Sequence, residues 1–435
     1  MILLDFITLI VFLITIGLMI WGPIERSIIG GIGVVIMIIL GVITPIEAFH
    51  FVDWNILAIL IGLWIASSYL VASKMPEAFI STVLKRTKSL KTVIFSLIFA
   101  AGIVTLFVDN VLVVLLFCPI VLTICKTLKI DPLLPTVLTG LAANFMGVAL
   151  MLGDITPQML HTIAGAEFMD FIVFRGKPSS FFILLITFLI VLSIYSRFIK
   201  IKYEGEFSSL LSSIASISEE NKKALKISLL FFISIIIVMC FRKVLEIPLG
   251  AIAFSGALIM AFSIEILKKL GKLSEVPSFS EVLSGLEWRA VLYYAFLFIL
   301  VGCIEKAGFI SALANSLKPF LHDMYVGIPL MYWVSASVAS IVQFDAYNLT
   351  IFRTLKDLSF TMDVWPYYWS VAWAATLASE ATIVSAPALY VTWTLIEKEG
   401  YKVTTKAFHS ITVKFAIIAL IVNFILTFTL FNIIR

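Results

Sequence analysis

The chain has 435 residues, 61% of them hydrophobic and 13% charged, with a formal net charge of +4. A soluble surface calls for roughly 25% charged residues, so most of this surface must face lipid. The small net charge, with no basic run interleaved with aromatics, argues against a nucleic-acid partner. Cys118, Cys125, Cys240 and Cys303 all lie in apolar runs without CxxC-type spacing, which argues against a disulfide framework or a zinc site.

A membrane-spanning helix needs about 20 mainly apolar residues, and such stretches recur from end to end. The opening MILLDFITLIVFLITIGLMIWG has no basic leader and no small-residue cleavage site, so it reads as a first span. A second runs over 26–44 and a third over 54–72, introduced by Asp53-Trp54; the amphipathic stretch Lys74–Lys91 follows. The run 92–125 is interrupted by Asp109-Asn110, leaving two pieces too short to span, which predicts a re-entrant hairpin. The next, 132–160, carries Asn144, Gly147, Gly153, Asp154, Thr156 and Pro157 and reads as a broken helix. After a span at 179–199, the Ser-rich, charged segment 201–224 reads as a cytoplasmic linker.

Spans at 225–243 and 248–267 open a second half in which the same order returns. Glu287-Trp288 stands 234 residues after Asp53-Trp54, and Asp345 stands 236 after Asp109. A hairpin interrupted by Gln343, Asp345 and Asn348, with Thr350 nearby, precedes a second broken helix carrying Ser379, Glu380, Thr382, Ser385 and Pro387; a span at 410–433 closes the chain. The expected fold is an all-α polytopic membrane protein of two repeats, 1–200 and 225–435, each with five crossings, a re-entrant hairpin and a broken helix. Helices before 53 and within 225–286 would form a scaffold, and 53–200 and 287–435 the transport parts. Five crossings is an odd number, so the repeats are inverted, as in many transporters. With Lys74–Lys91 placed inside, most lysines and arginines fall on the cytoplasmic side. Both termini are then outside the cell membrane.

Polar and ionisable groups in hydrocarbon are costly unless they face a cavity or a partner. Asp109 and Asn110 at a hairpin tip could offer oxygens to a cation such as Na⁺, or simply cap the returning helix. The glycines of the first broken helix free backbone amides that can take an anion. Glu380 in an apolar site could exchange H⁺ for a cation. Asp345, Asn348 and Thr350 could face either group across the pseudo-symmetric centre. His161 reads as a loop residue near a helix end.

The stretches 53–79, 107–122, 141–160, 286–314 and 378–411 resemble the ion-transporter superfamily that contains arsenite permeases, NhaD-type Na⁺/H⁺ antiporters and the pigmentation P protein. More distantly they resemble divalent-anion/sodium symporters. The resemblance implies an elevator-type transport domain on a homodimeric scaffold. It also implies substrate or cation positions at Asp109, Asn110, Asn144, Gly153, Asp154 and Thr382. Ser379, Glu380, Ser385 and Leu389 replace Gly, Asn, Gly and Asn of the usual second broken helix. The function expected is secondary transport without a cofactor, coupled to Na⁺ or H⁺. The cargo would be a small ion or anion such as arsenite, unless Na⁺ itself exchanges for H⁺. Na⁺ positions are expected at Asn110, Asn144, Asn348 and Thr382. An ion channel is the nearest alternative, and an intramembrane aspartyl enzyme using Asp109 and Asp345 the next. Neither a Walker GxxxxGK[ST] sequence nor HExxH is present.

Overall fold

The computed structural model describes residues 2–22, 24–84, 89–197, 218–273 and 275–433. The first half holds α1 (Ile2–Trp21), α2 (Arg26–Ile39), α3 (Pro45–Phe51), α4 (Trp54–Ala72) and α5 (Met75–Leu84). It continues with α6 (Leu90–Val104), α7 (Asn110–Thr127), α8 (Leu133–Met146), α9 (Ile155–Met159) and α10 (Ser180–Ser196). The second half holds α11 (Glu219–Cys240), α12 (Leu249–Lys269), α13 (Phe279–Ser284), α14 (Trp288–Lys306) and α15 (Phe309–Leu321). It ends with α16 (Met324–Ala339), α17 (Phe344–Ser359), α18 (Trp365–Ser379), α19 (Pro387–Lys398) and α20 (Thr405–Phe428).

Each helix of the first half has a counterpart ten helices later. From α3 to α7 the starting residues are offset by 234, and at α8 and α9 by 232. Local chemistry repeats with the same register. Thr44 with Glu47, and Ser278 with Glu281, form capping boxes that start α3 and α13. The recurring tryptophans tie each short helix to the next span: Trp54 Nε1 donates to the Phe49 carbonyl at 3.0 Å, and Trp288 Nε1 to the Leu283 carbonyl at 2.8 Å. This register corrects one pairing drawn from sequence. The counterpart of Asp109 is Gln343, and Asp345 corresponds to Val111.

The halves run in opposite senses. Lys126, at the end of α7, pairs with Glu399 beyond α19 at 2.9 Å, whereas Arg175, before α10, pairs with Asp363, before α18, at 2.5 Å. The surface end where the first broken helix begins is therefore the end where the second finishes. α19 accordingly packs on α7 and α8, and α9 on α17. Both hairpin tips lie at these breaks rather than at a surface. The Thr105 carbonyl sits against Gly153, and Thr382 Oγ1 donates to the Ser340 carbonyl at 2.9 Å.

Helices α4 and α12 form one close crossing and α2 and α14 its counterpart, so boundaries at 53 and 287 would cut through tight packing. A Cβ on Gly62 would lie 2.6 Å from the backbone carbon of Ala253, where nothing can rotate away. Gly62→Ala is expected to cost about 1–3 kcal/mol, read as a lower thermal unfolding temperature in detergent. The described part of the 201–224 linker, 218–224, begins α11; 201–217 lie outside the described residues, as do 85–88 of the Lys74–Lys91 stretch. His161 is buried rather than in a loop: its Nδ1 meets the Ala166 carbonyl at 2.7 Å and its Nε2 the Arg242 guanidinium at 3.1 Å.

Candidate functional site

A cavity of about 480 Å³ separates the α4–α14 side of the molecule from the hairpins and broken helices. Its walls include Trp64 of α4, Tyr293 and Tyr294 of α14, and Arg26 at the start of α2. Asp109, Asn110, Asp154, Gln343 and Asp345 line the same cavity. Glu25, Glu287, Arg289 and Lys398 also line it; Lys398 ends α19, the end marked by the Lys126–Glu399 pair.

Helix starts position the first-half groups. Asp109 is the N-cap of α7, its Oδ1 accepting the Val111 and Leu112 amides at 3.0 and 3.3 Å. Capping does not withdraw the residue from the cavity: one oxygen is spent on the helix and the residue still lines the cavity. Asp154 caps α9 in the same way, accepting the Ile155 amide at 2.7 Å through Oδ1. Its Oδ2 accepts from Asn110 Nδ2 at 3.2 Å, and the same amide reaches Asn144 Oδ1 at 3.4 Å. Asn144 Nδ2 donates to Ser379 Oγ at 3.2 Å, which joins the two broken helices. Gly147 and Gly153 let the two strands of the first break touch, with Asp154 Cβ 3.2 Å from where a Cβ on Gly147 would lie.

The second-half groups form a different network. Asp345 is 1% exposed; its Oδ2 accepts from Tyr294 Oη at 3.1 Å and Gln343 Nε2 at 3.3 Å, while Oδ1 has no hydrogen-bond partner. Arg26 donates to Gln343 Oε1 at 2.8 Å and to the Val384 carbonyl at 3.0 Å.

A family model described as "Citrate transporter" (CitMHS) matches residues 16–378. The chain belongs to the citrate transporter family. It is 24% identical over 410 residues to the 46 kDa membrane protein of Mycobacterium leprae, covering 91% of each chain. To the human P protein it is 24% identical over 438 residues, covering 81% of this chain and 50% of that protein. Among solved structures it shares its fold with the YdaH transporter of Alcanivorax borkumensis, at a TM-score of 0.56 and 11% identity over 90% of this chain and 87% of that one. This member of the citrate transporter family is therefore a polytopic membrane transporter and not an enzyme.

Not every residue singled out from the sequence reaches the cavity of this family member. Asn110 and Asn144 meet, but Asn348 donates to Thr156 Oγ1 at 2.9 Å, and Thr382 is held by Ser340 and, at 2.7 Å, by Ser385 Oγ. Of the four expected Na⁺ residues only Asn110 and Asn144 bond one another directly, while Thr382 connects to Asn144 through Ser385 and Ser379. Thr350 donates to the Ala346 carbonyl of its own helix at 3.0 Å. Thr350→Val is expected to leave transport within about twofold of wild type, since the lost bond is one the helix tolerates losing. Glu380, fully buried and with both carboxylate oxygens unpartnered, is not on the cavity wall. Sequence reasoning missed Arg26 and Tyr294, which stand at a loop and in mid-span without a motif; an arginine beside a hydrophobic span was the one available signal.

Proposed function

We propose that this transporter is ion-coupled and that its cation, H⁺ or Na⁺, occupies the cluster Asp109, Asp154 and Asp345. The observation that carries the reading is that three carboxylates, contributed by both halves, line one cavity. Asp154 lies within the electrostatic reach of the other two. Clustered carboxylates need positive charge among them, and Arg26 supplies only part of it. A bare polyanion is repelled there, so a small carboxylate enters accompanied by a cation or proton, its own carboxylates facing Arg289 and Lys398. Na⁺/H⁺ exchange without an anion is the second reading, favoured by the excess of acidic over basic groups lining the cavity.

The scaffold in this reading is α1–α4 with α11–α14, and it carries the dimer contact. The hairpins, broken helices, α10 and α20 move against it as an elevator. The cavity mouth at Lys398 faces the cytoplasm and both termini lie outside, because the basic residues cluster at that end.

Flux into proteoliposomes containing a pH-sensitive dye tests this, with Na⁺, Li⁺, citrate, a dicarboxylate or arsenite added with and without an imposed proton gradient. Saturable flux that responds to the Na⁺ or H⁺ gradient, needs a far higher cation concentration in Asp154→Asn and survives Glu380→Gln is the expected result. Flux in wild type that ignores both gradients would overturn the proposal.

A further inference from the structure

The two halves share one register, so each position at the first tip and break can be compared with its counterpart. Asp109, Asn110 and Asp154 correspond to Gln343, Phe344 and Ala386. Where the first half presents two carboxylates and an amide, the second presents an amide, a phenyl ring and a methyl group. That set brings no carboxylate of its own; the oxygens at its gap are Gln343 Oε1 and the Val384 carbonyl, with the Asp345 carboxylate beside Gln343.

A positive charge is nevertheless there. The Arg26 guanidinium lies between the second tip and the second break, donating to Gln343 Oε1 at 2.8 Å and the Val384 carbonyl at 3.0 Å. In the first half, Asn110 of the tip and Asp154 of the break face one another across the corresponding gap. Gln343 passes the interaction on, because its Nε2 donates to Asp345 Oδ2 at 3.3 Å. Arg26 is half-buried and opens α2, a helix that packs on α1 and α14.

We propose that Arg26 is a tethered cation, filling the second of two pseudo-symmetric cation positions so that transport couples to a single mobile cation at the first. This rests on the reading of Asp109, Asp154 and Asp345 as the cation seat. Because the tether belongs to α2, which packs on α1 and α14, its bonds to Gln343 and Val384 hold the cavity in its present form and break when the hairpin slides against those helices. Arg26 is thus a positioning residue for the coupling reaction. A guanidinium suits the task because its planar fork can serve an amide oxygen and a backbone carbonyl at once.

The test is the order of the cation dependence of flux in proteoliposomes. Na⁺ would be varied at fixed pH and H⁺ at fixed Na⁺, with citrate as the probe anion, and with Na⁺-driven acidification or alkalinisation as the readout should citrate not move. Wild type is expected to follow a single-site curve with a Hill slope of about one. Arg26→Gln keeps hydrogen-bonding capacity and removes the charge. Its slope is expected to rise towards two, with half-saturation displaced at least about tenfold. Arg26→Lys keeps the charge and is expected to keep the single-site slope at a lower maximal rate, which a merely structural role would not separate from Arg26→Gln. Should Arg26→Gln not yield folded protein, Arg26→Met also removes the charge and is expected to steepen the slope likewise. A single-site curve in either folded charge-removing variant, or a slope near two in wild type, overturns the tether while leaving the coupled transporter intact. Flux in wild type with no cation dependence overturns both.

Discussion

Asp154→Asn is expected to lower the apparent affinity for the driving cation by at least about 100-fold, since stripping one partner from a buried charge pair costs about 3–5 kcal/mol. Its carboxylate is the junction of the cavity. One oxygen anchors the start of α9, and the other accepts from Asn110 at the hairpin tip. Asparagine keeps one acceptor and loses the charge. The hydrogen-bond loss alone is worth about 1 kcal/mol, a few-fold effect, so the two contributions separate by size. Cation titrations of flux in Asp154→Asn and Asp154→Glu give the measurement, with thermal unfolding in detergent to show that both variants are folded. Restoration by glutamate would tie the effect to charge. Equal loss in both would tie it to geometry, and unchanged cation affinity in folded Asp154→Asn would remove the cluster from the coupling step.

Glu380 illustrates what the sequence leaves open. It is a carboxylate in an apolar run, the usual mark of an intramembrane functional group, and nothing in its neighbourhood along the chain says which way it points. It closes α18 and is buried away from the cavity, while the adjacent Ser379 hydroxyl bonds Asn144. Asp109 and Asp154 were legible because each stands at the start of a helix piece, next to glycine or after a short apolar segment. The position of an N-cap is a local property that composition can reveal. Asp345 was found for a partly mistaken reason. Its spacing to Asp109 suggested symmetry, but the register pairs Asp109 with Gln343, and Asp345 reaches the same cavity one helical step further on.

The overall architecture was readable for a related reason. Apolar length fixes spans, and Trp54 and Trp288 mark the repeat because each indole closes a turn onto a short helix that the capping boxes define. Convergence across the chain was not readable. The Arg26–Gln343 bond joins residues 317 apart, and the Asn144–Ser379 bond residues 235 apart. Such contacts depend on how two inverted halves interlock, which no single segment encodes. The same interlocking explains why α4 and α14 belong with α12 and α2: the small residues that permit those crossings look, in sequence, like any others in a span.

Gly153→Ala is expected to be the most damaging single-methyl change in the chain's first half, costing above about 3 kcal/mol or abolishing folding. A Cβ there would lie 2.1 Å from the Thr105 carbonyl oxygen, 2.6 Å from that of Gly147 and 3.0 Å from Gly147 Cα. All three are backbone atoms, so no rotamer change relieves the overlap. Thr105 belongs to the tip of the first hairpin, and its Oγ1 donates to the Val108 carbonyl at 3.2 Å, which keeps that tip closed. Either the tip must withdraw from the break or the break must open, and both movements pull Asn110 away from Asp154. Gly17→Ala in α1, where an added Cβ meets nothing within 4 Å, is the matched control. It is expected to be neutral or stabilising by up to about 1 kcal/mol, because alanine favours helix interiors over glycine. Thermal unfolding of the two variants in one detergent, alongside cation titration of whatever folded Gly153→Ala is recovered, reads both effects. Equal stability of the two would mean that the break does not depend on this close approach, and the hairpin tip would then be free to leave Asp154 without loss.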